Sequence, residues 1–162
     1  MSGRLVILAC GNPSRGDDAL GPLLLDRIAA FPAASVNCAV PELITDFQLQ
    51  VEHAADLDGA GLVLFVDASV AAAPPFQLSR LQPVGEVGYT THALSPSTVL
   101  AVFRQVYGYD APPSFQLAVR GERFELGEPL SADAAGNLEA AVELMGRLLA
   151  DPSPSSWDAY CK

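Results

Sequence analysis

Arg4–Phe31, RLVILACGNPSRGDDALGPLLLDRIAAF, is the stretch whose reading decides the fold class. Leu5 to Cys10 is a short run of aliphatic residues, the composition of a buried strand. The run breaks at Gly11-Asn12-Pro13, crosses a small polar loop and resumes at Ala19 with helical spacing. Leu20, Leu23, Leu24, Arg27 and Ile28 recur at the three- and four-residue steps of one helix face. Two adjacent acids, Asp17 and Asp18, stand at the joint. The stretch reads as strand, polar loop and helix.

Working outward, Ser35 to Val40 is a short strand candidate, and Pro41-Glu42-Leu43 is a loop. Thr45 to Leu57 has helical spacing, with Phe47, Val51, Ala54, Ala55 and Leu57 as its apolar face and Thr45 or Asp46 as its N-cap. Leu62 to Val66 is the purest apolar run in the chain and predicts a central strand, closed by Asp67. Phe76 to Leu81 alternates as a half-exposed strand does. The segment from Gln82 to Thr91 is a loop ending near His92, and Ser95-Pro96 starts a helix that runs through Leu100, Val102, Phe103 and Val106 to Gly108. Ser114 to Arg120 is a further strand, and Phe124 to Leu126 a short irregular one. Ser131 to Ala150 forms the last helix, with Gly136 weakening its first turns. This alternation predicts a three-layer α/β/α sandwich around a mostly parallel twisted sheet of about five strands. Residues 1–150 make one domain, and 151–162 (DPSPSSWDAYCK) a poorly ordered tail.

Composition narrows the partners. The 162 residues are half apolar, enough for a substantial core. A formal net charge of −10 argues against nucleic acid or an anionic membrane surface as partner. No apolar run reaches the roughly 18 residues that span a bilayer, and the N-terminal run stops too early for a signal peptide. Cys10, Cys38 and Cys161 give neither a paired framework nor C-x-x-C spacing, which points to a reducing, cytoplasmic home. Cys10 and Cys38 lie in strand-like runs and read as small core residues.

Ligands of open α/β sheets bind at the carboxyl ends of the strands. Asp17 and Asp18 follow the first strand, Glu42 the second, Asp67 closes the purest one, and His92 lies in the loop after the fourth. One imidazole with two carboxylates suits a divalent transition metal, and three protein ligands leave positions open for substrate or water. Each acid has an alternative role as a helix cap or a solvated charge, and His53, on the second helix, reads as a surface residue. Other chemistries lack their signatures. Gly11 to Gly16 has neither G-x-G-x-x-G spacing nor the Lys-Ser/Thr of a P-loop, and two acids at the helix entrance would repel phosphate. There is no G-x-S-x-G elbow and no H-E-x-x-H, and no serine is well placed for a triad around His92.

Gly11-Asn12-Pro13-Ser14-Arg15-Gly16-Asp17-Asp18-Ala19-Leu20-Gly21 resembles the G-N-x-x-x-x-D-D/E-x-x-G signature of the hydrogenase maturation proteases. These endopeptidases trim the C-terminal extension from the large subunit of nickel–iron hydrogenases. Leu64-Phe65-Val66-Asp67-Ala68 resembles the family's apolar strand ending in D-A, and Thr90 to Pro96 its histidine block before a helix. The three blocks occur in the family's order, over about Arg4 to Leu149. Ala9 and Ala19 stand where many members have glycine. The resemblance implies that Asp18, Asp67 and His92 are the metal-contacting and catalytic residues, with Asp17, Gly11 and Asn12 as supporting loop. It implies a cytoplasmic monomer whose partner is the large-subunit precursor. The nickel would arrive in that precursor rather than be held permanently, so that an unloaded precursor escapes cleavage. Two other functions fit the same residues: a non-catalytic metal-sensing chaperone of the precursor, and a small-molecule enzyme using the acid-rich cleft.

Overall fold

The computed structural model describes residues 3–32, 40–83 and 94–162. Five strands form one sheet: β1 (Arg4–Cys10), β2 (Glu42–Asp46), β3 (Ala60–Ser69), β4 (Phe76–Arg80) and β5 (Ser114–Arg120), in the order β2-β1-β3-β5-β4. All neighbours are parallel except β4, which runs antiparallel to β5 at one edge. The helices are α1 (Leu20–Ala29), α2 (His53–Asp56), α3 (Pro96–Tyr107), α4 (Ala132–Ala150) and α5 (Pro154–Asp158), with a 3-10 turn at Gly16–Ala19.

Successive strand side chains point to opposite faces, so each inner strand feeds two cores. Leu5, Ile7 and Ala9 of β1 join Leu62, Leu64 and Val66 of β3 on the face covered by α1, α4 and α5. Val6, Leu8 and Cys10 join Val63 and Phe65 on the other face, under α2 and α3. This is the expected three-layer sandwich. Leu5–Cys10 of β1 and Leu62–Val66 of β3 are apolar without a break because both faces are covered there, the pattern of a central parallel strand. Ser95 caps α3 by accepting the Thr98 amide, and Gly108 ends it at φ +79°, as Ser-Pro and Gly foretold.

Several local expectations are corrected. Glu42–Asp46 is a strand, not a loop leading into a helix, and only His53–Asp56 of the expected long helix is helical. Pairing with β1 fixes Glu42 to Asp46 as an edge strand, and Ile44-Thr45 suit a pleated ribbon better than a helix. Phe47 and Val51 are therefore exposed rather than core, while Ala54 and Leu57 are buried as expected. His53 is buried, not superficial. The buried face of α1 is Leu20, Gly21, Leu24, Leu25 and Ile28, leaving Arg27 outside to pair with Glu139. Val106 is exposed on α3, and Phe124 to Leu126 is irregular rather than a strand. β3 continues past Asp67 to Ser69. The strand read at Ser35 to Val40, apart from Val40 itself, lies outside the described residues, as do Cys38 and most of the loop before His92.

The C-terminal segment is ordered. Ser153 caps α5, and Trp157 is 0% exposed, with its indole N–H donating to the Leu148 carbonyl at 2.9 Å and its ring edge-on to Phe115. Arg80 pairs with Asp158 at 2.8 Å. A buried Trp with a satisfied N–H outweighs the entropy that frays most chain ends. Among the described residues no helix is long and apolar enough to cross a membrane.

Candidate active site

The loop between β1 and α1 is fixed before it reaches its acids. Gly11 turns at φ +149°, and a Cβ there would lie 2.0 Å from the Asp18 carbonyl oxygen, so only glycine fits. Its N–H donates to the Asp46 carbonyl at 3.0 Å, tying the loop to the end of β2. The Asn12 backbone N–H donates to Asp18 Oδ2 at 2.8 Å, and Asn12 Oδ1 accepts the Ser14 N–H at 2.9 Å. Gly21 lets the first turn of α1 lie against β1, since a Cβ would come within 2.7 Å of the Cys10 carbonyl oxygen. Gly11, Asn12 and Gly21 thus set where Asp18 sits.

Asp17 and Asp18 have different surroundings. Asp17 is 0% exposed. Its Oδ2 accepts the amides of Glu122 and Arg123 and the Ser131 hydroxyl, and its Oδ1 accepts the Ser131 amide. Burial works to raise its pKa, but these donors outweigh it and hold the carboxyl below the ordinary carboxylate value. The same strand-to-helix segment bonds back through Asp17 N–H to the Arg123 carbonyl and Gly16 N–H to that of Glu128. Asp17 is a structural anchor between two loops. Asp18 is half-buried and faces a cavity.

That cavity lies at the carboxyl edge of the sheet. In the register, Cys10 is opposite Asp46, and Ala9 is opposite Val66, one step before Asp67. Asp67 continues the Val63–Phe65 side of β3, so it points to the same face as Cys10. Asp18 and Asp67 both line a cavity of about 130 Å³, together with Cys10, Phe65 and Gln116 of the sheet and Phe47, Gln48 and Leu49 of the segment after β2. The Asp67 side chain keeps an exposed surface at the mouth, yet enough protein surrounds its carboxyl to matter. Desolvation pushes its pKa up to about 6; the Ala68 amide opposes and the Asp18 charge adds. Burial, then the charges of Asp67, Asp46 and Asp18, push the Cys10 thiol to about 12, so it stays protonated and is no thiolate nucleophile.

His92 lies outside the described residues. Leu94 and Pro96, which follow it into α3, line the same cavity as the two acids. Among the described residues, no three His, Cys, Asp or Glu side chains gather in a metal-binding group. Glu42 belongs elsewhere: it opens β2 at the opposite edge of the sheet and pairs with Arg4 at 2.7 Å. The acid at the carboxyl end of β2 is Asp46, hidden from sequence reading by the helix assigned over it. Its signal was available, because E-L-I-T-D ends a short β-prone run in an acid just as L-V-L-F-V-D does.

Neither a protein-family model nor a curated protein matches the chain. Solved structures do. The NiFe hydrogenase maturation protease HycI from Thermococcus kodakarensis is 24% identical, over 91% of this chain and 93% of that one, with a TM-score of 0.64. The hydrogenase maturating endopeptidase HybD from E. coli is 21% identical, over 88% and 89%, with a TM-score of 0.65. The chain has the fold of the hydrogenase maturation proteases. A hydrogenase 2 maturation peptidase from a Thaumarchaeota archaeon repeats the likeness at 19% identity, 88% and 95% coverage and a TM-score of 0.61. The maturation-protease fold thus agrees with the family that the Gly11–Gly21 signature resembles.

Proposed function

We propose that this protein is a hydrogenase maturation endopeptidase. It removes the C-terminal extension of a large-subunit precursor in the cytoplasm, acts as a monomer, and recognises nickel already seated in the substrate. The observation that carries this reading is the shared cavity of Asp18 and Asp67, whose wall includes Leu94 and Pro96, two and four positions after His92. Two carboxylates held around one opening attract a cation, and His92 supplies the nitrogen donor of a mixed N/O set. The substrate's nickel is the missing charge. Asp67 ionises less readily than a free carboxyl, its pKa pushed up to about 6 by desolvation; an arriving cation offsets that cost by favouring the ionised form. With Cys10 held as a thiol, the attacking group is water, which adds to the scissile carbonyl as the C–N bond breaks, with the substrate's metal activating that water or polarising that carbonyl. An empty precursor brings no cation and is left uncut.

Nickel-loaded precursor incubated with the protein and weighed by mass spectrometry tests this. Trimming by the wild type, lost in Asp18→Ala, Asp67→Ala and His92→Ala with folding retained, is the expected result. Normal trimming by all three variants sinks the ligand assignment. A stable complex without mass loss favours the non-catalytic chaperone instead.

A further inference from the structure

Phe47 is 67% exposed and lines two cavities at once. One holds Asp18 and Asp67; the other, about 290 Å³, is formed with Gly11, Pro13, Pro22, Thr45 and Asp46. A single exposed apolar residue is ordinary on a protein surface. This one is braced from behind. Asp46 Oδ1 accepts the Phe47 N–H at 2.7 Å, and Asp46 Oδ2 faces His53 Nε2 at 3.3 Å. His53 is 6% exposed, and its Nδ1 accepts the Gln50 N–H at 2.9 Å, which assigns the ring proton to Nε2. A buried imidazole and a strand-end acid are thus spent on holding a loop whose product is an exposed aromatic ring. Its ordering cost is met before any partner arrives.

We propose that Phe47 is a specificity-determining residue, on which an apolar side chain of the precursor's extended segment docks beside the scissile bond. This rests on the processing reading above. Alternate side chains of an extended peptide leave on one side. A segment crossing Phe47 therefore offers one group to the acid cavity and the next but one to the second. The occupant is an extended peptide carrying an apolar residue; Phe47 sorts sequences and the acids sort metal loading. Asp46 and His53 are positioning residues that act through the loop.

The test measures kcat/KM on the organism's own nickel-loaded precursor, and on precursors whose apolar residues nearest the scissile bond are changed singly to Ala. Phe47→Ala should lower kcat/KM on the natural precursor about 10- to 100-fold, as loss of a central aromatic contact does. Phe47→Leu should restore most of it, and on one Ala precursor the Phe47→Ala effect should shrink to about threefold or less. Equal trimming by wild type and Phe47→Ala overturns this inference and leaves the processing reading standing. An undiminished Phe47→Ala effect on every Ala precursor overturns it too. A wild type that trims no loaded precursor removes the processing reading and this inference with it.

Discussion

The Asp17 clamp and the Asp67 rim treat the same chemical group in opposite ways. Asp17 is shut away from water and yet ionises more readily than a free carboxyl, because three backbone amides and a hydroxyl converge on it. Asp67 keeps a surface open to solvent and ionises less readily, because its one bonded donor among the described residues, the Ala68 amide, does not offset its surroundings. Burial alone therefore does not rank carboxylates; the balance of donors against desolvation does. A satisfied carboxylate holds structure together. An under-satisfied one is available to a cation.

The strongest way to break this contrast is Asp17→Ala. It would leave the part-buried amides of Glu122, Arg123 and Ser131 without their acceptor, each costing about 1 kcal/mol, for a total loss of about 3 kcal/mol. Urea denaturation should show a lower midpoint, and an unchanged one would mean that Asp17 is no anchor.

Acid titration of stability sharpens the same point. The folded Asp17 lies below its ordinary value of 3.8, so its contribution is complete above that pH and is lost as pH falls through the folded value. Asp17→Ala should flatten the fall of stability below about pH 4. Asp67 has the reverse sign. Between its ordinary 3.8 and about 6 the folded form holds more protons than the unfolded one, so stability falls as pH rises across that window. Asp67→Asn should thus gain on the wild type from about pH 4 to about pH 6, read as a shift of the urea midpoint. An advantage independent of pH would show that Asp67 is not desolvated.

Asp18→Ala should cost about 1 kcal/mol, since among the described residues one backbone amide is the bond it gives up. The contrast with its neighbour fails if the two substitutions destabilise equally. The smallest effect is electrostatic. Asp18→Asn should lower the Asp67 titration midpoint followed by NMR, because the Asp18 charge is the lesser of the two influences raising it.

Much of this arrangement was readable from the residues. Leu5–Cys10 and Leu62–Val66 announced two inner strands through unbroken apolar runs, and Ser95-Pro96 announced α3. Asp18 and Asp67 were singled out as neighbours over one sheet edge, and they line one cavity. What failed did so where short-range pattern and tertiary pairing disagree. Thr45–Leu57 has helical spacing, but Glu42–Asp46 gains more by adding an edge to the sheet. The tail is rich in Pro and Ser, but one Trp finds a slot against Phe115 and Leu148.

By itself, then, the sequence determined the α/β class, the inner strands and the loop that carries the acids, because each depends on local pattern and chain-order rules. Only the tertiary structure decided what each acid is for. Asp17 and Asp18 are adjacent with identical side chains, and they are told apart by amides more than a hundred residues away. Asp46 and His53 likewise acquire their role only when β2 pairs with β1 and turns a presumed helix into a braced loop. Donors brought from distant segments set the charge and position of a side chain, and no local pattern encodes them.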